Sequence, residues 1–170
     1  GAVLLETTPE KNVGLVGNLL GADGNNAELL HCAGGGSAAP ATADSLRDGK
    51  HFLRMNGKEV FRHAVRVMAE SCERVLAQCG VTSEQVAWFI PHQANSRILE
   101  AVASQLNVGM DRFPSNLERY GNTSAASIPL ALEEAWTDGK LKHGDLVLIV
   151  AFGAGLTWGA TLLRWHEPPR

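Results

Sequence analysis

The sequence predicts an α/β protein in which helices pack against a sheet of buried strands. Two short runs, Val86–Ile90 and Leu146–Val150, are apolar at consecutive positions, as strands covered on both faces of a sheet must be. Other stretches carry apolar residues at every third or fourth position, which is the period of a helix face. Buried strands that alternate with such helices are typical of a layered α/β architecture.

Composition fits one globular domain and excludes several kinds of partner. The chain has 170 residues, of which 45% are hydrophobic and 19% charged. Its 15 basic and 18 acidic residues give a net charge of −3, which is not the basic field that nucleic acid or an anionic membrane attracts. The longest apolar run, Leu146–Phe152, is far shorter than the roughly 20 residues of a membrane span, and no signal peptide is recognisable. We therefore expect a cytoplasmic protein without nucleic-acid or membrane partners.

The three cysteines suggest neither disulfides nor a metal site. Cys32, Cys72 and Cys79 form no CxxC pair and no zinc-finger spacing with a histidine, so we expect reduced thiols and no metal. Cys72 and Cys79 fall on an apolar helical face and are interpreted as core residues. Cys32 precedes Ala-Gly, as some nucleophilic cysteines do, but the polar loop after it lacks a helix to stabilise a thiolate. We do not expect Cys32 to be catalytic.

The first half of the chain predicts a hairpin, a loop and one long helix. The apolar runs Ala2–Leu5 and Val13–Leu20 flank a turn sequence, which is typical of a hairpin. Residues 33–50 are rich in glycine, proline and small side chains and predict a surface loop. Apolar residues then recur with the helical period over Glu59–Cys79, and Gly80 ends that helix.

The second half alternates strands and helices. Thr82 and Gln85 have capping-box spacing just before the strand Val86–Ile90. A helix follows with an apolar face, and a second, alanine-rich helix runs from Ala125 to about Thr137. The inward residues of the first of these helices are Ile98, Leu99, Val102 and Leu106. After the strand Leu146–Val150, the turn Gly153-Ala154-Gly155 leads into a final strand, Leu156–Trp165.

Three polar or glycine-rich corners follow the predicted strands, where α/β proteins place their chemistry. They contain His92 with Asn95, Asn122, and the turn Phe152–Gly155. A histidine and an asparagine that both donate N–H to one point suit an enolate or a tetrahedral oxyanion. The residues alone leave a second interpretation open, in which His92 is a hydrogen-bonded structural residue and Asn122 a helix cap or turn.

Four motifs closely resemble the C-terminal half of β-ketoacyl-acyl carrier protein synthase III, a condensing enzyme that initiates fatty acid synthesis. They are residues 55–61 (MNGKEVF), 89–98 (FIPHQANSRI), 120–127 (YGNTSAAS) and 151–159 (AFGAGLTWG). The resemblance covers essentially all 170 residues in order. It implies a thiolase-like αβαβα sandwich of two similar halves, in which residues 1–170 are the C-terminal half. The chain also opens without methionine, directly in an apolar run, so we expect a fragment that needs the other half to fold stably.

The resemblance assigns roles to individual residues. The family's Cys-His-Asn set maps its histidine onto His92 and its asparagine onto Asn122, while the nucleophilic cysteine belongs to the N-terminal half absent from this chain. The backbone N–H of Ala154 would complete an oxyanion hole. Residues that match the substrate tunnel are Met55, Gly57, Phe61, Ala94, Asn95, Ile98 and Phe152. Those that match the carrier-protein docking surface are Arg62, Arg66 and Arg97.

The resemblance implies an acyltransferase that condenses acyl-CoA with malonyl-acyl carrier protein in a decarboxylative Claisen reaction. The expected primer is acetyl-CoA. It implies no cofactor, a homodimer, and acyl carrier protein as partner. Two alternatives stay open. One is a related His/Asn condensing enzyme of secondary metabolism, and the other is a non-catalytic half-module for CoA binding or dimerisation. Phe61 and Ile98 are also explained as ordinary core residues, and Arg62 and Arg66 as a solvated helix face paired with Glu59 and Glu70.

Overall fold

The computed structural model describes residues 1–167, which form a mixed sheet of four strands, a separate pair of short strands and five α-helices. The main sheet has the order β1-β6-β5-β4. Its strands are β1 (Gly14–Ala22), β4 (Val86–Pro91), β5 (Leu146–Gly153) and β6 (Thr157–Arg164). The short strands β2 (Leu30–Cys32) and β3 (Leu53–Met55) pair with each other. The helices are α1 (Ala43–Arg47), α2 (Gly57–Cys79), α3 (Ser96–Gln105), α4 (Leu117–Tyr120) and α5 (Ser127–Thr137).

Helices cover both faces of the main sheet, and β5 shows this most clearly. Leu148 and Val150 pack in a core built with α2 and α3, whereas Val147 and Ile149, which alternate with them along the strand, pack in a second core with α5. Because successive side chains of a strand point to opposite faces, a strand with helices on both sides must be apolar throughout. The predicted layered α/β class is therefore confirmed, and the strands predicted at Val86–Ile90 and Leu146–Val150 form β4 and β5.

The predicted N-terminal hairpin is wrong. Ala2–Leu5 forms no strand and its side chains are exposed. The run predicted at Val13–Leu20 does form a strand, β1, but β1 pairs antiparallel with β6 from Gly14–Arg164 to Ala22–Thr157. The turn sequence between Ala2–Leu5 and Val13–Leu20 favours pairing of these two neighbouring runs. Pairing of β1 with β6 along its whole length instead buries Leu19 against the rest of the sheet.

The predicted loop over residues 33–50 is broken by a short helix. Thr42 caps α1, since its Oγ1 accepts the Ser45 N–H at 3.0 Å, and the Ser45 Oγ in turn accepts the Thr42 N–H at 2.8 Å. This reciprocal pair satisfies two donors that have no partner within the helix, which allows a five-residue helix to form in a polar stretch.

The long helix α2 begins two residues before the predicted Glu59, because Asn56 caps it by accepting the Glu59 N–H on Oδ1 at 3.3 Å. It ends as predicted at Gly80, whose φ of +65° is a left-handed conformation that glycine adopts freely. The alanine-rich segment begins as a 3-10 turn, Ser124–Ala126, before α5. Within the described residues no helix has the length and apolar character needed to cross a membrane.

Candidate active site

A cavity of about 540 Å³ lies where β4 and β5 end. These two strands are parallel, with Pro91 opposite Val150, so their carboxyl ends meet at one edge of the sheet. The residue after β4 is His92, and its backbone N–H donates to the Val150 carbonyl at 2.8 Å. His92 lines the cavity together with Phe152 and Gly153 from β5 and with residues of the turn before α5, Ser124 and Ala125. Residues from all three corners predicted from the sequence thus line one cavity, with Ser124 representing the corner that contains Asn122.

His92 is held by a fully buried serine. The Oγ of Ser127 lies 2.7 Å from His92 Nδ1 and also accepts the backbone N–H of Gln93 at 3.2 Å. Since the N–H of Gln93 occupies one lone pair of the hydroxyl, the single hydroxyl proton is free to point at Nδ1. With Nδ1 as an acceptor, a neutral imidazole carries its proton on Nε2. The network therefore favours the tautomer that can donate from Nε2.

Burial lowers the pKa of His92 below its ordinary value of 6.5. Removing a charged group from water disfavours the charged form, so the imidazolium is less stable here than in solvent. His92 is accordingly neutral at pH 7. A neutral imidazole with the proton on Nε2 is a hydrogen-bond donor that does not readily give the proton away.

Asn122 forms a local turn through one end of its amide. Its Oδ1 accepts the backbone N–H of Ser124 at 2.9 Å, and Ser124 adopts a left-handed conformation with φ of +54°. The turn predicted as the alternative role for Asn122 is therefore present. It occupies the oxygen and fixes the direction of the amide, which leaves the two Nδ2 hydrogens as the donors. Asn122 is exposed and does not line the cavity, although Ser124, two residues later, does.

The glycine-rich corner connects β5 to β6, as the sequence predicts. Phe152 is buried and lines the cavity, whereas Ala154 is exposed at the tip of the turn and does not line it. The Ala154 carbonyl accepts a hydrogen bond from Thr157 Oγ1 at 3.0 Å, which ties the tip to the start of β6. The role of the Ala154 N–H stays a prediction.

The residues that match the substrate tunnel fall into two groups at the beginnings of α2 and α3, except for Phe152, which lies near the end of β5. Met55 is 63% exposed at the end of β3, and Gly57 is the exposed first residue of α2. Phe61 on α2 approaches α3, where the guanidinium carbon of Arg97 lies 5.8 Å from the centre of its ring. Asn95 caps α3 by accepting the Arg97 N–H at 2.9 Å.

The remaining members of this set are more buried. Ile98 and Phe152 belong to the core between the sheet and the helices α2 and α3, and Ala94 packs against that core. Phe61 is also packed against it. The interpretation of Phe61 and Ile98 as core residues is therefore supported, and their contact with a substrate stays a prediction.

The three arginines assigned to carrier docking differ in their pairing. Arg62 lies 2.5 Å from Glu59 and Arg66 lies 3.1 Å from Glu70, so both form the ion pairs that the helical spacing predicts. Arg97 has no carboxylate partner among residues 1–166. Of the three, Arg97 offers the least compensated positive charge for an acidic partner.

The sequence did not single out the residues that hold the His92 loop. Gln93 is fully buried, and its Nε2 donates to the Pro91 carbonyl at 2.9 Å and to the Pro114 carbonyl at 3.3 Å. Ser127 lies 35 positions from His92. Both residues lie inside the motifs at 89–98 and 120–127, but these motifs contain several other polar residues, so the sequence marked the motifs and not these two positions.

The cysteines lie away from this cavity. Cys32 is exposed at the end of β2, its Sγ donates to the His51 carbonyl at 3.1 Å, and it is not among the residues that line the cavity. Cys72 is fully buried, and burial raises the pKa of its thiol. Cys79 is half-buried against the same core. The prediction of a core residue is confirmed for Cys72, whereas Cys79 lies at the edge of the core.

Comparison with solved structures identifies the class of the fold as thiolase-like. The crystal structure of 3-oxoacyl-(acyl-carrier-protein) synthase III from Aquifex aeolicus VF5 superposes with a TM-score of 0.81 and 45% identity, covering 94% of this chain and 47% of that one. The family described as 3-oxoacyl-(acyl-carrier-protein) synthase III C terminal matches residues 76–165. The chain belongs to this family.

The similarity to known relatives extends along nearly the whole chain. The β-ketoacyl-(acyl-carrier-protein) synthase III of Roseiflexus castenholzii is 48% identical over 165 residues, which is 97% of this chain and 50% of the relative. The chain thus spans about half the length of the curated relatives it matches. The priming β-ketosynthase from the R1128 polyketide biosynthetic pathway is less similar, with a TM-score of 0.78, 32% identity and coverage of 92% of this chain and 46% of that one.

Proposed function

We propose that this chain is the C-terminal half of a β-ketoacyl-acyl carrier protein synthase III. The complete enzyme would join it to an N-terminal half that carries the nucleophilic cysteine. The observation that carries the proposal is the hydrogen bonding of His92 and Asn122. Each has one polar atom engaged by a neighbour, Nδ1 by Ser127 and Oδ1 by Ser124, and each keeps an N–H to donate. Family membership and coverage of half the relatives support the same conclusion.

The proposed reaction has two stages. An acyl group, acetyl in the simplest case, moves from CoA to the cysteine, and CoA leaves as the thiol. In malonyl-acyl carrier protein the bond to the carboxylate then breaks, CO₂ departs and its electron pair becomes an enolate, with negative charge on the thioester oxygen. His92 and Asn122 donate to that oxygen. The enolate carbon attacks the acyl-cysteine carbonyl, and collapse of the resulting oxyanion releases the cysteine thiolate.

The second oxyanion needs donors of its own, and the turn after Phe152 is the segment that would supply them. In the proposal the backbone N–H of Ala154 stabilises the tetrahedral intermediate, and closure of the other half over the cavity excludes water. The pantetheine arm would contact the residues at the beginnings of α2 and α3, which are Met55, Gly57, Phe61, Ala94, Asn95 and Ile98. Arg62, Arg66 and Arg97 would meet the acidic carrier protein. No cofactor enters this scheme, and the homodimer and the cytoplasmic location stay predictions.

A direct assay of the complete enzyme tests the proposal. With acetyl-CoA and malonyl-acyl carrier protein we expect acetoacetyl-acyl carrier protein, CO₂ and CoA in equal amounts, measured by mass spectrometry and CO₂ release. Turnover only with malonyl-CoA or another acceptor would instead favour the second candidate, a condensing enzyme of secondary metabolism. The similarity to the R1128 priming enzyme is the observation that supports this second candidate. Absence of condensation with every acyl-CoA and acceptor would contradict both and leave a CoA-binding or dimerisation module.

Ser127 is expected to position His92 during decarboxylation. In Ser127→Ala the imidazole loses the hydroxyl that favours the Nε2–H tautomer, so kcat for malonyl decarboxylation should fall about tenfold, as for one neutral hydrogen bond of roughly 1.4 kcal/mol. The KM for malonyl-acyl carrier protein should stay the same, because Ser127 is fully buried and does not line the cavity.

A matched control separates positioning from loss of stability. Ser71 is also buried and its Oγ donates to the Val67 carbonyl in α2, away from the cavity. Ser71→Ala should leave kcat unchanged, while Ser127→Thr, which keeps the hydroxyl, should restore most of the rate. Equal losses of kcat in Ser71→Ala and Ser127→Ala would show that Ser127 acts only through stability.

A further inference from the structure

Three segments that are distant in sequence meet at the end of the main sheet opposite the candidate active site. The cavity lies at the carboxyl end of β5, whereas Glu10 precedes β1, His143 precedes β5 and His166 follows β6. The register brings these strand ends together, because Arg164 of β6 lies opposite both Gly14 of β1 and Leu146 of β5. The topology of the sheet therefore places the three side chains at one corner.

The three side chains form one compact donor cluster. His143 Nε2 lies 2.7 Å from Glu10 Oε1, and His166 Nδ1 lies 3.1 Å from Glu10 Oε2. All three donor atoms lie within 4.8 Å of one another. The side chains are between 36% and 46% exposed, so the cluster lies at the protein surface.

The backbone beside both histidines is fixed. The Gly144 N–H donates to the Trp165 carbonyl at 2.8 Å, and the Trp165 N–H donates to the Asp145 carbonyl at 2.7 Å. These bonds join the residues next to His143 and His166, so the two imidazoles are held near each other by the main chain. In addition, His166 Nδ1 is buried and has no hydrogen-bond partner within residues 1–167, although the Glu10 carboxylate faces it. A buried nitrogen without a hydrogen bond is a group that a ligand would satisfy.

Two imidazoles and one carboxylate are the donors that zinc and its neighbours in the first transition row prefer, whereas Mg²⁺ and Ca²⁺ take oxygen ligands. In tetrahedral zinc sites with bonds of about 2.0–2.1 Å, neighbouring donor atoms lie roughly 3.3 Å apart. The present separations of 2.7 and 3.1 Å run to the two different oxygens of Glu10, and the ligand atoms of the three residues all lie within 4.8 Å of one another. A metal ion would therefore widen the shorter contact by roughly half an ångström and draw the two imidazole nitrogens to the same spacing. A water molecule would take the fourth position.

We propose that Glu10, His143 and His166 bind one divalent transition-metal ion, with Zn²⁺ as its representative. The ion would link the segment before β1, the turn before β5 and the segment after β6, and so fasten this corner of the sheet. A search for cysteine spacing cannot find such a site, because its ligands are separated by 133 and 23 positions in the sequence. The site is independent of the condensation chemistry proposed above.

Metal titration of the complete, chelator-treated enzyme tests the proposal. We expect one equivalent of Zn²⁺ to bind with a Kd below about 10 µM and to raise the melting temperature. His143→Asn and His166→Asn should each weaken binding at least about tenfold and abolish the thermal shift. His51→Asn, an exposed histidine outside the cluster, should bind as the unchanged protein does.

Co²⁺ distinguishes this site from a cysteine site elsewhere in the enzyme. Bound to nitrogen and oxygen, Co²⁺ should give weak visible bands without the strong sulfur-to-metal charge-transfer band, and these visible bands should disappear in His166→Asn. The proposal is overturned if Zn²⁺ affinity is the same in both histidine variants as in the unchanged protein, or if binding is weaker than the stated range. It is also overturned if the Co²⁺ spectrum is that of a thiolate complex.

Discussion

Replacing Asn122 by aspartate should lower the rate of malonyl decarboxylation by at least about 10²- to 10³-fold while acyl loading persists. The carboxylate that this change introduces can still accept the Ser124 N–H, as the Asn122 Oδ1 does at 2.9 Å, so the turn is kept. The amide donors are lost, and a negative charge stands where an oxyanion must form. Loss of one such donor costs about 2.7–4 kcal/mol of transition-state stabilisation, and the added charge increases this cost.

Asn122→Ala provides the matched comparison, because it removes the turn bond together with the donors. If donation from Nδ2 is what matters, both variants should fail in decarboxylation and condensation, although only Asn122→Ala disturbs the turn. Loading should remain close to normal in Asn122→Asp, since no charge develops at the malonyl oxygen in that step. It is measured as label transferred from radioactive acetyl-CoA to protein. Decarboxylation by Asn122→Asp at a near-normal rate would refute the proposed role of the side chain.

The parts of the fold that were predictable from sequence are those in which local pattern and tertiary packing agree. β5 lies between two layers of helices, so burial on both faces made its sequence apolar throughout, and α2 shows a regular apolar stripe because one of its faces is buried. The partner of β1 was not predictable in this way. Pairing with β6 joins residues about 150 positions apart, such as Gly14 and Arg164. The local sequence contains no signal for so distant a partner, whereas the nearby turn sequence predicts a hairpin.

The candidate site shows the same division. His92 and Asn122 were predicted as site residues from two sequence motifs, and the chain belongs to the family that those motifs resemble. Ser127 and Gln93 act through hydrogen bonds between distant segments, so their roles emerge only when β4 and α5 are placed side by side. The cluster of Glu10, His143 and His166 was not predicted for the same reason, since its side chains come from three separate strand ends.

His92→Ala should reduce malonyl decarboxylation by about 10²- to 10³-fold, because it removes the second donor to the developing oxyanion. Loading should fall less, and only to the extent that the imidazole helps to keep the cysteine ionised. His31→Ala is a suitable control, since the His31 Nδ1 contacts the Glu28 carbonyl at 2.7 Å and His31 does not line the cavity. Equal rates of decarboxylation in His92→Ala and His31→Ala would exclude His92 as a donor.

The pH dependence tests whether His92 works as a neutral donor. An imidazolium is acidic enough to protonate the enolate, which would give acetyl-acyl carrier protein instead of a new carbon–carbon bond. Because burial lowers the pKa of His92, the imidazolium fraction at any pH is smaller than for an ordinary histidine of pKa 6.5. Condensation should therefore stay coupled to decarboxylation at pH 6.5 and above, with uncoupled acetyl product rising only at lower pH. Product ratios measured by mass spectrometry between pH 5 and 8 give the answer, and substantial uncoupling already at pH 7 would mean that His92 is charged in the working enzyme.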